Sequence, residues 1–450
     1  MHYFCIEITK TLFNPKIDMK TDIRKYIFIA CMIVSTGFVS RSQTLEDVDY
    51  FEAGGNYYCY PWLDKNPPVQ TPAPEGYEPF HLEHYGRHGS RWHIGDNNYD
   101  KPYILLKKAH EAGKLTPLGE EVFQVVCEVR DEFKKGRDGE LSDKGAVQHQ
   151  GIGRRMAENY PEIFNPNTNI DARSTIVIRS ILSMFNGLNG IKTVVPEVKI
   201  KTDASNADMW YMNFHDSVIW ANYAKADSTI YRDFQKKHAN KGEYLKKIFN
   251  DPLYAADSIG SSLFNPLYAL LVNTQSHYGQ PWLTDSVFTI EEARERWMIR
   301  NANWFIQCGN SKLTDNRQPF SQANLLINII ESADTAINSA NQSVNLRYGH
   351  DTIVMPLTCL LELNEFGNEI NDLELLDEMG WHDYLAVPMG ANIQIIFYRP
   401  DSKQVSSPED VLIKVLLNEE EATLPLGRDS GPYYKWNDFK EYYLNKINVN

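Results

Sequence analysis

Arg87-His88-Gly89-Ser90-Arg91 gathers the densest chemistry in the chain, two guanidinium groups around one imidazole. Arginine presents planar, bidentate donors to phosphoryl oxygens and keeps its charge at every working pH. Gly89 lets the backbone come close to a ligand. The pentapeptide follows residues 79–85 (PFHLEHY), which read as a short strand breaking at Gly86. Ligands of open α/β sheets bind beyond the carboxyl ends of strands, so the position suits phosphate capture. Taken alone, the same string also describes a surface arginine pair beside a histidine held in a turn. His81, His84, His88 and His93 crowd one stretch and raise the question of a metal. Positions 81 and 84 point to opposite faces of a strand, and no spacing matches HExxH or CxxC. Metal catalysis is not expected, and His81 and His84 read as core or pocket-lining residues.

The flanking elements set where these side chains sit. After a polar loop through Gly95-Asp96-Asn97-Asn98 come two helices. The second has Thr116 as its N-cap, Pro117 at the first helical position, and Leu118, Val122, Val125, Val129 and Phe133 on one stripe. A helix over 142–160, a strand over 168–175 and a helix over 178–191 follow. Between about 203 and 335 aromatic and charged residues dominate with little strand pattern, which reads as a helical insertion. Sheet grammar resumes with a strand at 343–348, an apolar helix at 352–363, and strands at 391–398 and 411–418. Strands alternating with helices predict an α/β fold, a mostly parallel sheet with helices on both faces. The core would comprise 43–202 and 336–450, with 203–335 as an inserted helical cap.

Three marks occur in order: RHGSR at 87–91, RSTIVIR at 173–179 and Gly-His-Asp at 349–351. With LSDKGAVQHQGIGRRMAENYPEIF at 141–164 and the closing VPMGANIQIIFYR and LIKVLLNEEEATLP, they make the chain resemble the histidine phosphatase superfamily, in its acid phosphatase and phytase branch. The resemblance runs from roughly 75 to 440, fades across the cap, and implies a phosphoglycerate-mutase-like core. It implies that His88 attacks phosphorus and becomes a phosphohistidine. Arg87, Arg91, Arg179 and His350 would hold the equatorial oxygens. Asp351 would protonate the leaving alkoxide and then take a proton from water. For that Asp351 must be protonated in the complex, and a neighbouring phosphate and partial burial both raise a carboxyl pKa, so an acidic optimum is expected. Arg173 is expected to be structural.

Two further His-Asp pairs, His215-Asp216 and His382-Asp383, lie in the cap and in a loop; only His350-Asp351 follows a strand and opens an apolar helix. The family often has proline two residues after RHGxR. Here Trp92 and His93 follow, and the specificity loop is expected to take a shape without that proline. Inositol polyphosphate phosphatases often carry His-Ala-Glu, whereas His350-Asp351-Thr352 is more like acid phosphatases and bacterial phytases.

The chain has 450 residues, 42% hydrophobic and 23% charged, with a formal charge of −14. That composition excludes a disordered chain or a small disulfide scaffold, and the acidic balance excludes a general nucleic-acid binder. Residues 26–39 (YIFIACMIVSTGFV) are too short to span a membrane, which takes about 20 apolar residues. They follow Lys20, Arg24 and Lys25 and precede small residues around Ser42-Gln43, the grammar of a cleaved secretory signal. Residues 1–42 are therefore expected to be a signal peptide with an upstream extension, Met19 being an alternative start. A lipoprotein cut before Cys31 is the competing reading. Cleavage removes Cys5 and Cys31; Cys59, Cys127, Cys308 and Cys359 remain, either paired in one of three ways or, for Cys127 and Cys359, plain core residues.

The expected protein is an exported histidine acid phosphatase acting on small-molecule phosphomonoesters, inositol phosphates such as phytate foremost. The expectation includes no metal or cofactor, no nucleic acid and no membrane span; oligomeric state is open. A polyanionic substrate would need further basic residues, with Arg154, Arg155, Lys192, Lys199 and Lys201 as candidates. The alternatives are a broad-specificity or sugar-phosphate acid phosphatase, a mutase-like transferase, and a non-catalytic periplasmic phosphate-ester binding protein.

Overall fold

The computed structural model describes residues 44–239, 242–339, 343–401 and 407–449. The expected signal segment, with Met19, Cys5, Cys31 and the cut at Ser42-Gln43, lies outside the described residues.

Strand β1 (Tyr77–Arg87) is the central strand and is buried from Pro79 to its end. After it come α1 (Asn97–Glu111), α2 (Pro117–Phe133) and α3 (Asp143–Asn159). Thr116 and Ser142 cap α2 and α3, their side chains accepting from the backbone N–H of Gly119 and Gly145. The stripe on α2 comprises Val122, Phe123, Val126, Val129 and Phe133, with Leu118 and Val125 only half-buried. Then follow β2 (Asn169–Ser174), α4 (Ile178–Val194) and β3 (Lys199–Asp203). The middle of the chain is helical, including α5 (Ser217–Ala226), α6 (Phe264–Asn273), α7 (Ile290–Cys308) and α8 (Ala323–Ile337). The chain closes with β4 (Ser343–Gly349), α9 (Asp351–Leu360), β5 (Asn392–Pro400), β6 (Leu412–Leu417), β7 (Glu420–Glu421), β8 (Tyr434–Lys435) and α10 (Trp436–Val449).

The sheet order is β3-β2-β4-β1-β5-β6-β7, with β8 on β6. The strands β3, β2, β4 and β1 are parallel, whereas β5 pairs antiparallel with β1 and β6 antiparallel with β5. The sheet thus changes sense beside β1, a feature that apolar patterning cannot reveal. The strand β3 (KIKTD) was not anticipated: it is an exposed edge strand whose lysines mask the pattern and guard the edge.

One face of the sheet is covered by α3 and α4, where Ile152, Met156, Met184 and Leu188 meet Leu82, Ile170, Val344 and Leu346. The other is covered by α8, α9 and α10, with Leu326, Ile330, Ile353, Leu357, Trp436 and Phe439 against Ile393, Ile395 and Phe397. A third cluster joins α1 and α2 to α6 and α7 through Leu106, Val122, Val126, Leu267, Leu271 and Trp297. Helix α7 contributes to both of the latter clusters, Trp297 to one and Phe305 to the other, so the middle of the chain is packed against the rest along its length. Cys59, Cys127, Cys308 and Cys359 are free thiols. No helix among the described residues is long and apolar enough to cross a membrane.

Candidate active site

The chain leaves the sheet at the end of β1, where Arg87 N–H donates to Ala391 O (2.7 Å) and His88 N–H to Gly349 O (2.9 Å). The turn then passes against the first turn of α3: a Cβ on Gly89 would stand 2.4 Å from Gly145 O. No larger residue fits at 89, and the contact fixes the loop between sheet and helix.

His88 is buried, and its Nδ1 lies 2.9 Å from Gly89 O. A carbonyl only accepts, so Nδ1 carries the proton and Nε2 keeps its lone pair. Burial first, then the charges of Arg87, Arg91, Arg179 and His350, push its pKa well below the imidazole range. The ring is neutral even in acid, the form a nucleophile needs. His350 stands edge-on to it with centroids 5.7 Å apart, and its Nε2 is 3.1 Å from Thr175 Oγ1. Burial and Arg179 hold the His350 pKa down to about 4.

Three guanidinium groups surround this pair. Arg87 donates from Nη1 to Asn56 O (2.6 Å) and Val387 O (2.7 Å), while Nη2 lies 2.7 Å from Asp351 Oδ2. Arg91 donates from Nη1 to Trp92 O (2.8 Å) and lies over the Tyr57 ring. Arg179 is in the first turn of α4, and burial followed by Arg91 pushes its pKa down to about 10. In all three the Nε–H is buried with no acceptor. Leaving such donors unmet costs free energy, so the cluster is built for an anion that accepts from several arginines at once.

Asp351 opens α9. Its Oδ2 accepts from Asn56 Nδ2 (3.0 Å) and its Oδ1 from the N–H of Thr352 (3.0 Å). Burial alone would raise its pKa, but Arg87, Arg91 and the Asn56 amide overcome that and hold it at about 2. Among Arg87, Arg91 and Asn56, Asp351 is therefore ionised.

Asn56 and Tyr57 also belong to the site, though no motif in the sequence marks them. The short 3₁₀ segment Glu52–Tyr57 reaches the pocket because Gly55 adopts φ 57° with Asp383 packed against it, where a Cβ would sit 2.7 Å from Asp383 Oδ2. Asn56 then serves two groups: its carbonyl takes Arg87 and its amide side chain holds Asp351. Tyr57 Oη accepts from Arg91 Nη2 at 3.4 Å. The Gly-Gly-Asn string signals a tight turn, but nothing near it in sequence announces its partners.

The remaining candidates have other places. Trp92 is buried, stacked on His277 at 3.8 Å and packed by Tyr99 and Phe133. His93 is buried too, donating from Nε2 to Ala269 O (2.9 Å), and burial brings its pKa down to about 3. His81 bridges Ser343 O and Glu83, whose carboxylate pairs with Arg347, while His84 packs on Tyr348. Arg173 is bound by Asp171 and Asp208, as a structural residue. Asp216 caps α5, and His382 pairs with Asp377. Among the described residues no group of three His, Cys, Asp or Glu side chains is arranged to hold a metal. The basic residues considered for a polyanion are elsewhere: Arg154 pairs with Glu158, Arg155 with Glu419, and Lys201 with Asp171. Lys192 is in the last turn of α4, opposite to Arg179, and Lys199 is exposed at the start of β3.

The same fold occurs in solved phosphatases. The multiple inositol polyphosphate phosphatase of Bifidobacterium longum, in complex with phosphate, superposes with a TM-score of 0.65 at 16% identity, covering 89% of this chain and 98% of its own. The phytase of D. castellii does so with a TM-score of 0.65 at 15% identity, covering 92% and 89%. The Klebsiella sp. ASR1 phytase gives 0.50 at 12% identity, covering 84% and 96%. A comparison with curated proteins finds no match. The fold is thus that of the histidine phosphatases, whose members named here are phosphoric monoester hydrolases. The sequence matches the profile of the histidine phosphatase superfamily (branch 2) over residues 86–418, and the chain belongs to that family.

Proposed function

We propose that this protein is an exported histidine acid phosphatase that hydrolyses phosphomonoesters, inositol phosphates such as phytate foremost, through a phosphohistidine at His88. The observation that carries the reading is the neutral His88, with Nε2 unprotonated, set among three arginines whose buried Nε–H groups lack acceptors. The names of the similar folds, an inositol polyphosphate phosphatase and phytases, support the substrate class. The leader at 1–42 supports export. Residues 43–202 and 336–450 are the catalytic core and 203–335 the cap.

In the first half-reaction His88 Nε2 attacks phosphorus in line; the N–P bond forms as the ester P–O bond breaks. Arg87, Arg91, Arg179 and His350 hold the equatorial oxygens and stabilise their spread charge. The proton for the leaving oxygen arrives with the substrate. A phosphate ester has its second pKa at about 6, so below that pH it enters as the monoanion. As phosphate draws Arg87, Asp351 accepts this proton and delivers it to the alkoxide. In the second half, water attacks phosphorus while Asp351 takes its proton; the N–P bond breaks and neutral His88 is restored.

Burial and the arginines hold His88 well below the imidazole range, and the arginines hold Asp351 at about 2, so both groups keep their free-enzyme form in mild acid. The alkaline limb comes from loss of the substrate monoanion above about pH 6. Hydrolysis of p-nitrophenyl phosphate and phytate from pH 3 to 8, with chelator present, tests this. An optimum below pH 6 that survives chelator is the expected result. Folded protein that turns over neither ester at any pH, or activity abolished by chelator, overturns it.

A further inference from the structure

Outside the arginine cluster, a cleft lies between the middle of the chain and the start of α9, with an empty volume of about 480 Å³, part of it open to solvent. The His215-Asp216 pair, which the phosphatase chemistry leaves unused, sits at its edge. Phe214, Trp220 and Tyr223 give it aromatic walls, and Phe214 and Trp220 are 37% and 46% exposed. Trp220 and Tyr223, neighbours on α5, stand at 80° with ring centroids 5.6 Å apart and form a corner. The Trp220 indole N–H donates to His215 Nδ1 (3.3 Å), which orients the ring. The polar part of the lining is Gln318 and Gln322, from the short 3₁₀ segment Gln318–Gln322. Both side chains are buried, and the Oε1 of each has no donor. Their nitrogens are engaged, Gln318 Nε2 with Gln307 O (3.0 Å) and Gln322 Nε2 with Ser321 Oγ (3.2 Å). A buried carbonyl oxygen without a donor costs free energy, and two beside one cleft point to a ligand that brings hydroxyl groups.

The charges present select the kind of ligand. No lysine or arginine lines the cleft, so a phosphate would meet no cation there. Its one carboxylate, Asp216, is engaged in capping α5, with Oδ1 accepting from the N–H of Val218 (2.8 Å) and of Ile219 (3.2 Å). A purely apolar ligand would leave both amide carbonyls unmet. A pyranose or cyclitol ring meets both demands: its slightly positive C–H face packs on the electron-rich face of an aromatic ring, and its hydroxyls donate from the rim. The cleft also borders the reaction centre. Thr352 lines it, and the Thr352 N–H donates to Asp351 Oδ1 (3.0 Å). The segment before Phe214 is tied to β1, where Tyr85 Oη donates to Met212 O (2.8 Å).

We propose that this cleft binds a neutral, hydroxyl-bearing ring, a sugar or cyclitol with no phosphate on the part it holds. Two sources supply such a ring: a free saccharide, or the alcohol half of an ester whose phosphate is held at His88. The first is independent of the phosphatase reading. The second rests on it and favours, among its substrates, rings that keep free hydroxyls beside the scissile phosphate.

The test uses wild type, Trp220→Ala and Gln322→Leu, with two readouts. Trp220→Ala removes a half-exposed ring, and Gln322→Leu removes an unmet carbonyl, so the fold survives both and Gln322→Leu melts no lower than wild type. Saturation-transfer NMR titrates free glucose and free myo-inositol. Steady-state kinetics gives kcat/KM on glucose 6-phosphate and on p-nitrophenyl phosphate. Saturable binding of either free ring by wild type, weakened about tenfold or more in both variants, supports the site with a free saccharide as its occupant. A ratio of glucose 6-phosphate to p-nitrophenyl phosphate that falls about tenfold or more in both variants, through KM, supports it with the ester's alcohol as occupant. Equal changes on both esters, together with ring binding that is absent or unaltered by the substitutions, overturn it. If wild type hydrolyses neither ester the phosphatase reading fails by itself, and the titrations alone decide: ring binding lost in the variants supports the cleft, and binding absent or unaltered overturns it.

Discussion

His88→Ala lowers kcat on p-nitrophenyl phosphate by at least about 10⁴-fold, the scale on which a removed nucleophile is felt. The fold survives the change. The side chain is buried and neutral, and its hydrogen bond goes to the carbonyl of the adjacent Gly89, so its loss strands no distant partner. The turn is held by backbone bonds from Arg87 to Ala391 and from His88 to Gly349, and by the Gly89–Gly145 contact, which alanine at 88 leaves in place. Arg87, Arg91 and Arg179 still present their unmet donors, so the variant continues to bind inorganic phosphate. Steady-state rates and phosphate titration together check this. A kcat within tenfold of wild type removes His88 from the reaction.

Asp351→Asn separates leaving groups. General acid catalysis contributes about 10²–10⁴-fold where the departing oxygen needs a proton. An alkyl phosphate such as an inositol phosphate needs one; p-nitrophenolate leaves readily without. The variant is therefore expected to lose about 10³-fold on the alkyl ester and much less on p-nitrophenyl phosphate. Asparagine keeps the volume and an oxygen for Arg87 and Asn56, which limits the structural cost. It also removes the carboxylate whose pKa stands at about 2, so the acid limb of the profile moves with it. Equal losses on both esters would assign Asp351 to positioning instead of proton transfer.

What could be read from the sequence was local. Thr116 and Ser142 announced their helices because a cap acts within three residues. The RHGSR turn and the Gly349-His350-Asp351 string sit at the ends of adjacent parallel strands, β1 and β4, whose apolar runs are visible. What escaped depends on distant partners. Asn56 lies 295 positions from Asp351, and no pattern links them. Gln318 and Gln322 read as polar residues of a connecting segment until their burial and unmet carbonyls are seen. The partners of Trp92 and His93 are distant in sequence too: Phe133 and His277 pack on the indole and Ala269 takes the imidazole. The antiparallel sense of β5 is set by tertiary pairing, to which an apolar strand pattern is indifferent.

The most direct measurement is a rapid alkaline quench of the enzyme during turnover, conditions under which a phosphorus–nitrogen bond persists, followed by peptide mass analysis. The mechanism predicts one phosphoryl group on the peptide containing His88, absent from His88→Ala and accumulating when an activated ester outruns hydrolysis of the intermediate. A phosphoryl group on Ser90 or another side chain, or turnover of the ester with no labelled peptide at all, would contradict it.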